Sequence, residues 1–204
     1  MTSVTSLKPK VSRQEALALL DTPGLAGVLG RAVRGPLRMV ADVYVPFRLF
    51  RVEVINGSRR EMFLLAVDTV SGQLDPYRFA SAPDANAFVE VETRNRPKTL
   101  LNDDLAGQVA REKARRLIFS SGFFRIRDLS IRAEAEGLAF HIPYWIGFFG
   151  AGEGARLSVV DAVRRRVEGP KARQFFRDWL ASEKEVQDVH AMRQSMAHGF
   201  SNER

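Results

Sequence analysis

An internal repeat constrains this chain more than any other feature. Val43-Tyr44-Val45-Pro46-Phe47 is followed by Leu64-Leu65-Ala66-Val67-Asp68-Thr69-Val70. Phe140-His141-Ile142-Pro143-Tyr144 is followed by Leu157-Ser158-Val159-Val160-Asp161-Ala162-Val163. Both read apolar-x-apolar-Pro-aromatic, a gap, then Leu-x-x-Val-Asp-x-Val. The shorter gap in the second copy implies a tighter hairpin turn. Asn56-Gly57-Ser58 would turn the first hairpin and Gly150-Ala151-Gly152-Glu153-Gly154 the second.

A helical stretch precedes each copy. Ser12 and Glu15 have capping-box spacing ahead of Ala16, Leu17, Leu19 and Leu20. Thr22-Pro23-Gly24 should break or kink that helix before Leu25, Val28 and Leu29 resume the stripe. In the second copy Asn102 or Asp103 can cap a helix carrying Leu105, Val109, Ala110, Leu117 and Ile118, with Gly122 as a stop. Leu138, Phe140, Ile142, Tyr144, Ile146 and Phe148 alternate onto one strand face. Leu129, Ile131 and Ala133 do so on a preceding strand, so Glu136-Gly137 reads as a hairpin turn. In the first copy the alternation changes phase near Leu49-Phe50, which predicts a β-bulge. Phe88–Glu92 reads as a short strand. Pro170 opens a helix to about His198 with an apolar cluster of Phe175, Phe176, Trp179 and Leu180.

The expected fold is therefore α+β: two repeats, each a helix plus an antiparallel β-meander of about three strands, and a long C-terminal helix. Residues 1–93 and 94–169 would hold the repeats and 170–204 the helix and tail. The repeats either share one sheet or pack face to face.

Composition narrows the function. Hydrophobic residues make up 45% and charged residues 27%, a globular balance rather than a disordered one. No apolar run approaches the ~20 residues of a membrane span. The first ten residues carry no signal-peptide h-region, so a cytoplasmic location is expected. With no cysteine, disulfides, thiolate zinc sites and cysteine nucleophiles are excluded. The net charge of +7 can attract polyanions or simply be solvated.

Asp68 and Asp161 hold equivalent positions. They are either paired functional carboxylates or strand-end Asp residues bonding to the following turn, and Ser71-Gly72 favours the turn. Pro46 and Pro143 mark sheet edges or bulges. His141 aligns with Tyr44 and Trp145 with Arg48, all four opposite the face assigned to the helix-covered core. They are either an exposed partner-binding surface or contacts between packed sheets; open apolar faces are uncommon in monomers, which favours packing. His190 and His198 stand two turns apart on one helix, and no metal-ligand motif is present, so no metal site is expected. The glycines from Gly147 to Gly154 lack a following Lys-Ser or Lys-Thr and lie between strands, unlike a phosphate loop. Ser120-Ser121-Gly122 reads as a helix end rather than a nucleophile. No catalytic constellation and no cofactor are expected.

Basic clusters lie at Arg59-Arg60, Arg111–Arg116, Arg125 and Arg127, and Arg164-Arg165-Arg166. The last is the candidate anion site, against a reading of solvated surface charge. On the C-terminal helix, Val186, Val189, Met192 and Met196 are candidate partner-binding residues. Trp179, Val186, Val189, Arg193 and Met196 approximate an a/d seam, the alternative being a polar extension beyond a docked cluster.

Val67-Asp68-Thr69-Val70-Ser71-Gly72-Gln73-Leu74 resembles the strand-and-turn signature that closes PepSY-type modules, related in shape to cystatins. The second copy departs from it, with Arg164-Arg165-Arg166 where the turn glycine would fall. The resemblance covers under half the chain and implies a binding or inhibitory module. With no catalytic motif, aromatic side chains on a second sheet face and a helix longer than its docking cluster requires, the leading expectation is a non-enzymatic protein-binding or assembly module with a protein partner or a homo-oligomer. The alternatives are a nucleic-acid-associated accessory protein and an enzyme or small-molecule binder using Asp68, Asp161 or His141.

Overall fold

The computed structural model describes residues 1–20, 35–120, 128–150 and 156–199, with 186–199 as helical backbone only. The protein is α+β, built on one curled, mixed sheet. Its strands are β1 (Thr2–Leu7), β2 (Leu37–Asn56), β3 (Arg59–Asp68), β4 (Tyr77–Phe79), β5 (Phe88–Thr93), β6 (Ser130–Phe149), β7 (Arg156–Asp161) and β8 (Arg166–Val167). The helices are α1 (Arg13–Leu20), α2 (Asp103–Ser120) and α3 (Pro170–Gly199). Strand order is β4-β3-β2-β6-β1-β5, with β7 on β6 and β8 on β7. All pairs are antiparallel except β1 with β6, which meet in parallel at Ser6 and His141.

The two 20-residue strands β2 and β6 form the spine. Their register pairs Val43 with Tyr144, Val45 with Ile142 and Phe47 with Phe140. The segments around Pro46 and Pro143 thus lie side by side in one sheet, with Val45 facing Ile142 at the midpoint. The flanking hairpins match: Asp68 pairs with Phe47 and Asp161 with Tyr144. Just beyond, Thr69 N donates to Pro46 O at 3.0 Å and Ala162 N to Pro143 O at 3.1 Å.

Each face of this sheet is covered differently along its length. On one face Val43, Val45, Phe47, Leu49, Phe140, Ile142, Tyr144 and Ile146 pack with Phe175 and Phe176 of α3. On the other, Phe50, Val52, Val54, Leu65 and Val67 pack under Ala106, Ala110, Ala114 and Ile118 of α2. Val40, Phe149 and Val160 pack under Val11 and under Ala16 and Leu20 of α1. Leu20 fits only because Gly147 lacks a side chain: a Cβ there would stand 2.8 Å from Leu20 Cδ1.

The change of phase near Leu49-Phe50 does mark an irregularity, since the β2–β6 register shifts between Arg48 and Phe50. From Val43 onward β2 itself alternates regularly: odd residues face α3 as far as Leu49, and even residues face α2 from Phe50. The apolar stripe changes face because the cover changes face. The extra residues at this shift lie on β6, where Arg48 and Phe50 pair with Ala139 and Ala135. Glu136-Gly137 is therefore a bulge inside one continuous strand rather than a hairpin turn, and Gly137 takes the positive φ of 72° that it needs. The helix expectation is also reversed: α1 and α2 lie on the face that carries Trp145 and Arg48.

Local signals explain several ends. Ser12 N donates to Glu15 Oε2 (2.8 Å) and Glu15 N to Ser12 Oγ (3.3 Å), a closed capping box. Asn102 caps α2 through Leu105 N (2.9 Å). Gly57-Ser58 turns the β2–β3 hairpin, with Asn56 paired to Arg59. Strand β1 carries no strong pattern in TSVTSL; pairing with β5 defines it, Val4 opposite Val91. The expected kink at Thr22-Pro23-Gly24, the stop at Gly122, Arg125, Arg127 and the Gly152–Gly154 loop lie outside the described residues.

Candidate functional site

Asp68 and Asp161 are fully buried at twin turns. Asp68 Oδ1 accepts from Ser71 N (2.9 Å) and Gly72 N (2.8 Å), and Oδ2 from Leu74 N (2.9 Å). Lys113 Nζ of α2 closes this turn on the Leu74 carbonyl (2.8 Å), and burial lowers its pKa. Asp161 Oδ1 accepts from Val163 N (2.9 Å) and Arg164 N (2.8 Å), and Oδ2 from the Tyr77 hydroxyl. Burial pushes the Tyr77 and Tyr144 phenols far above their ordinary range, with Asp161 adding to the shift, so both stay protonated donors. Both carboxylates are thus engaged in holding backbone.

The cluster 164–166 belongs to the second turn. The Arg164 guanidinium lies 3.6 Å above the Tyr77 ring and donates to Pro76 O. Arg165 pairs with Glu15 (3.1 Å) at a φ of 59°. Arg166 pairs with Glu168 (2.8 Å) and Asp75 (3.4 Å). Each arginine already has an acceptor.

The Tyr44, Arg48, His141 and Trp145 set is split up. Tyr44 is buried, and desolvation first, then Asp42, raises its pKa to about 12. Trp145 packs beside α1 and donates Nε1–H to Val11 O (3.0 Å). Arg48 and His141 remain together at a polar cavity of about 260 Å³ between β1 and the start of α2, also lined by Thr69, Arg96, Thr99 and Asp103. Arg48 Nη2 donates to Asp103 Oδ2 (2.7 Å). His141 Nδ1 lies 3.2 Å from Thr5 O, so Nδ1 carries the proton and Nε2 is the acceptor. Burial lowers the His141 pKa below 6.5.

A second hollow is apolar. This cleft of about 370 Å³ lies between α3 and the loops after Asp68 and Arg96. Val70, Pro97, Leu100, Phe175 and Trp179 form its walls, and Lys98, Asp178 and Glu183 its rim. Leu100 is 71% exposed there. Trp179 Nε1 is buried without a hydrogen-bond partner among the described residues. Sequence patterning singles out Trp179 as core and seam but gives no sign of Leu100 and Pro97, which lie on the irregular stretch between β5 and α2. Val186, Val189, Met192 and Met196 follow on the same helix, and their side chains lie outside the described residues.

Among the described residues no three His, Cys, Asp or Glu side chains converge as metal ligands. Nor is any helix among them long and apolar enough to cross a membrane. No family model, no curated protein and no solved structure matches the chain.

Proposed function

We propose that the protein is a non-enzymatic binding module that docks a segment of a protein partner in the apolar cleft beside α3. The observation that carries this reading is the cleft itself: about 370 Å³, walled by Leu100, Phe175 and Trp179. That size and lining are those of a ligand site with a few orienting polar groups. The chemistry calls for an apolar or aromatic anchor and a basic neighbour. The rim carries Lys98 against Asp178 and Glu183, a net charge of −1. In sequence, Phe175, Trp179, Ser182, Val186, Val189, Arg193 and Met196 keep an alternating spacing of 4 and 3 along α3.

Two further inferences belong with this reading. The matched Pro46/Asp68 and Pro143/Asp161 arrangements support two diverged copies of one unit, each a helix with an antiparallel meander. The turn that Asp68 makes through Gly72 suits the resemblance to PepSY-type modules, which are binding or inhibitory. A cytoplasmic location is part of the same proposal. The nucleic-acid reading is less favoured, since Arg48, Arg51, Arg60, Arg78, Arg165 and Arg166 are each paired with a carboxylate. The enzyme reading is less favoured because Asp68 and Asp161 hold turns.

Photo-crosslinking in the native host tests the proposal. A crosslinking residue at Leu100 should trap one protein species. The same residue at Met62, 57% exposed on β3, should not. Equal trapping at both positions, or capture of only small molecules or nucleic acid at Leu100, overturns it.

A further inference from the structure

On the sheet face opposite α2, Arg51 and Glu53 of β2 and Arg132 and Glu134 of β6 surround a hollow of about 290 Å³. The register sets Arg51 opposite Glu134 and Glu53 opposite Arg132. The ion pairs run elsewhere. Arg51 Nε binds Glu136 Oε1 (2.7 Å), and Glu53 is taken by Arg60. Arg132 and Glu134, both exposed, are left in no ion pair among the described residues.

Both lie on an open edge. Among the described residues, no strand pairs with the outer side of β6 before His141, where β1 meets it. Ladder parity tells which backbone groups face out. The two-residue turn at Gly57-Ser58 closes on a hydrogen-bonded pair, Asn56 with Arg59, so even residues of β2 bond to β3 and odd ones to β6. Thr69 N on Pro46 O keeps the same parity further along. The backbones of Arg132 and Glu134 therefore bond to β2, and the N–H and C=O groups of Ile131, Ala133 and Ala135 point outward.

An edge of this kind is a template for another strand. The stretch runs from Ser130 to the bulge at Glu136-Gly137, and Ala133 is its midpoint. Antiparallel pairing of this stretch with itself about Ala133 uses the outward groups: Ala133 meets Ala133, and Ile131 meets Ala135. Arg132 then stands opposite Glu134, at the non-hydrogen-bonded position where side chains come closest. The two neighbouring twofold registers that use the same outward groups fail on charge. One, centred on Arg132, sets arginine against arginine. The other, centred on Glu134, sets glutamate against glutamate and turns Arg132 to Glu136, which Arg51 already holds.

We propose that the chain forms a twofold homodimer through this edge, β6 against β6 of a second copy, centred on Ala133. Each Arg132 meets Glu134 of the partner subunit, so the charges that one chain leaves unpaired are matched twice across the axis. The dimer joins two sheets into one, and its edge shares no residue with the apolar cleft.

Sedimentation velocity of the full chain from about 1 to 500 µM reads the assembly, a range suited to a small interface. The expected result is a reversible monomer–dimer equilibrium. Glu134→Arg and Arg132→Glu each place like charges opposite one another on both sides of the axis and should weaken the dimer about tenfold or more. An equimolar mixture of the two single variants should recover the wild-type affinity, because every cross-strand pair is again of opposite charge. Both residues are exposed, and an unchanged thermal midpoint shows that the fold is intact. A wild-type chain that stays monomeric up to about 500 µM overturns the proposal. So does a dimer whose affinity the single variants leave unmoved, or a loss that the mixture does not restore. Growth beyond the dimer also overturns it, since a twofold pairing closes on itself.

Discussion

If Asp68 holds a turn rather than doing chemistry, removing it must cost stability in a graded way. Its carboxylate accepts three backbone N–H groups, of which those of Gly72 and Leu74 are buried. Leaving one buried donor unpaired costs ~1–3 kcal/mol, and such losses do not add fully, so Asp68→Ala should lose about 3–5 kcal/mol. At ~2–4 °C per kcal/mol for a chain of this size, the thermal midpoint should fall by about 10 °C. Asp68→Asn separates the two oxygens. An amide oxygen in the Oδ1 position keeps the Ser71 and Gly72 bonds, while the NH₂ group opposes Leu74 N–H. That variant should lose about 2 kcal/mol. Urea unfolding followed by far-UV circular dichroism reads both, with an unchanged m-value confirming that stability alone moved. The predicted order is wild type, then Asn, then Ala. An Ala variant within about 0.5 kcal/mol of wild type would refute the structural role, since that is the range of a surface change away from such features. A more stable Ala variant would point to a strained functional carboxylate instead.

Other outcomes follow from the same geometry. Gly72 sits at φ 70°, and a Cβ would stand 2.8 Å and 2.9 Å from the two γ-methyls of Val109. Gly72→Ala should cost about 2–4 kcal/mol in urea unfolding, and a second change, Val109→Ala, should relieve the steric part but not the backbone part. The folded-state pKa of His141 lies below 6.5, chiefly through burial, so the unfolded chain binds the proton first as pH falls. Stability should therefore drop as pH falls below about 6.5, down toward the lowered folded value, and His141→Gln should flatten that part of the profile. Urea midpoints between pH 7 and pH 5 check it; an equal slope in the variant contradicts it.

Local chemistry was legible and long-range cover was not. The capping box at Ser12 and Glu15, the Gly57-Ser58 turn and the Asx turn at Asp68 each lie within a few residues, so spacing alone reveals them. Glu136-Gly137 misled because a turn and a bulge both interrupt an alternating pattern. Only the position of α2 opposite α3 tells why the apolar stripe of β2 and β6 changes face. The split of Tyr44, Arg48, His141 and Trp145 depends on Val11, Thr5 and Asp103, which come from distant segments. The apolar cleft is likewise assembled from Val70, Leu100 and Trp179, which no local pattern links.

Leu100→Asp tests the central claim most directly. Leu100 is 71% exposed, so the change should leave the thermal midpoint where it is. A charge placed on the apolar wall of the cleft should weaken binding of the crosslinked partner about tenfold or more in calorimetric titration. Unchanged affinity with an intact fold would mean that the partner docks elsewhere and that the cleft is not the binding site.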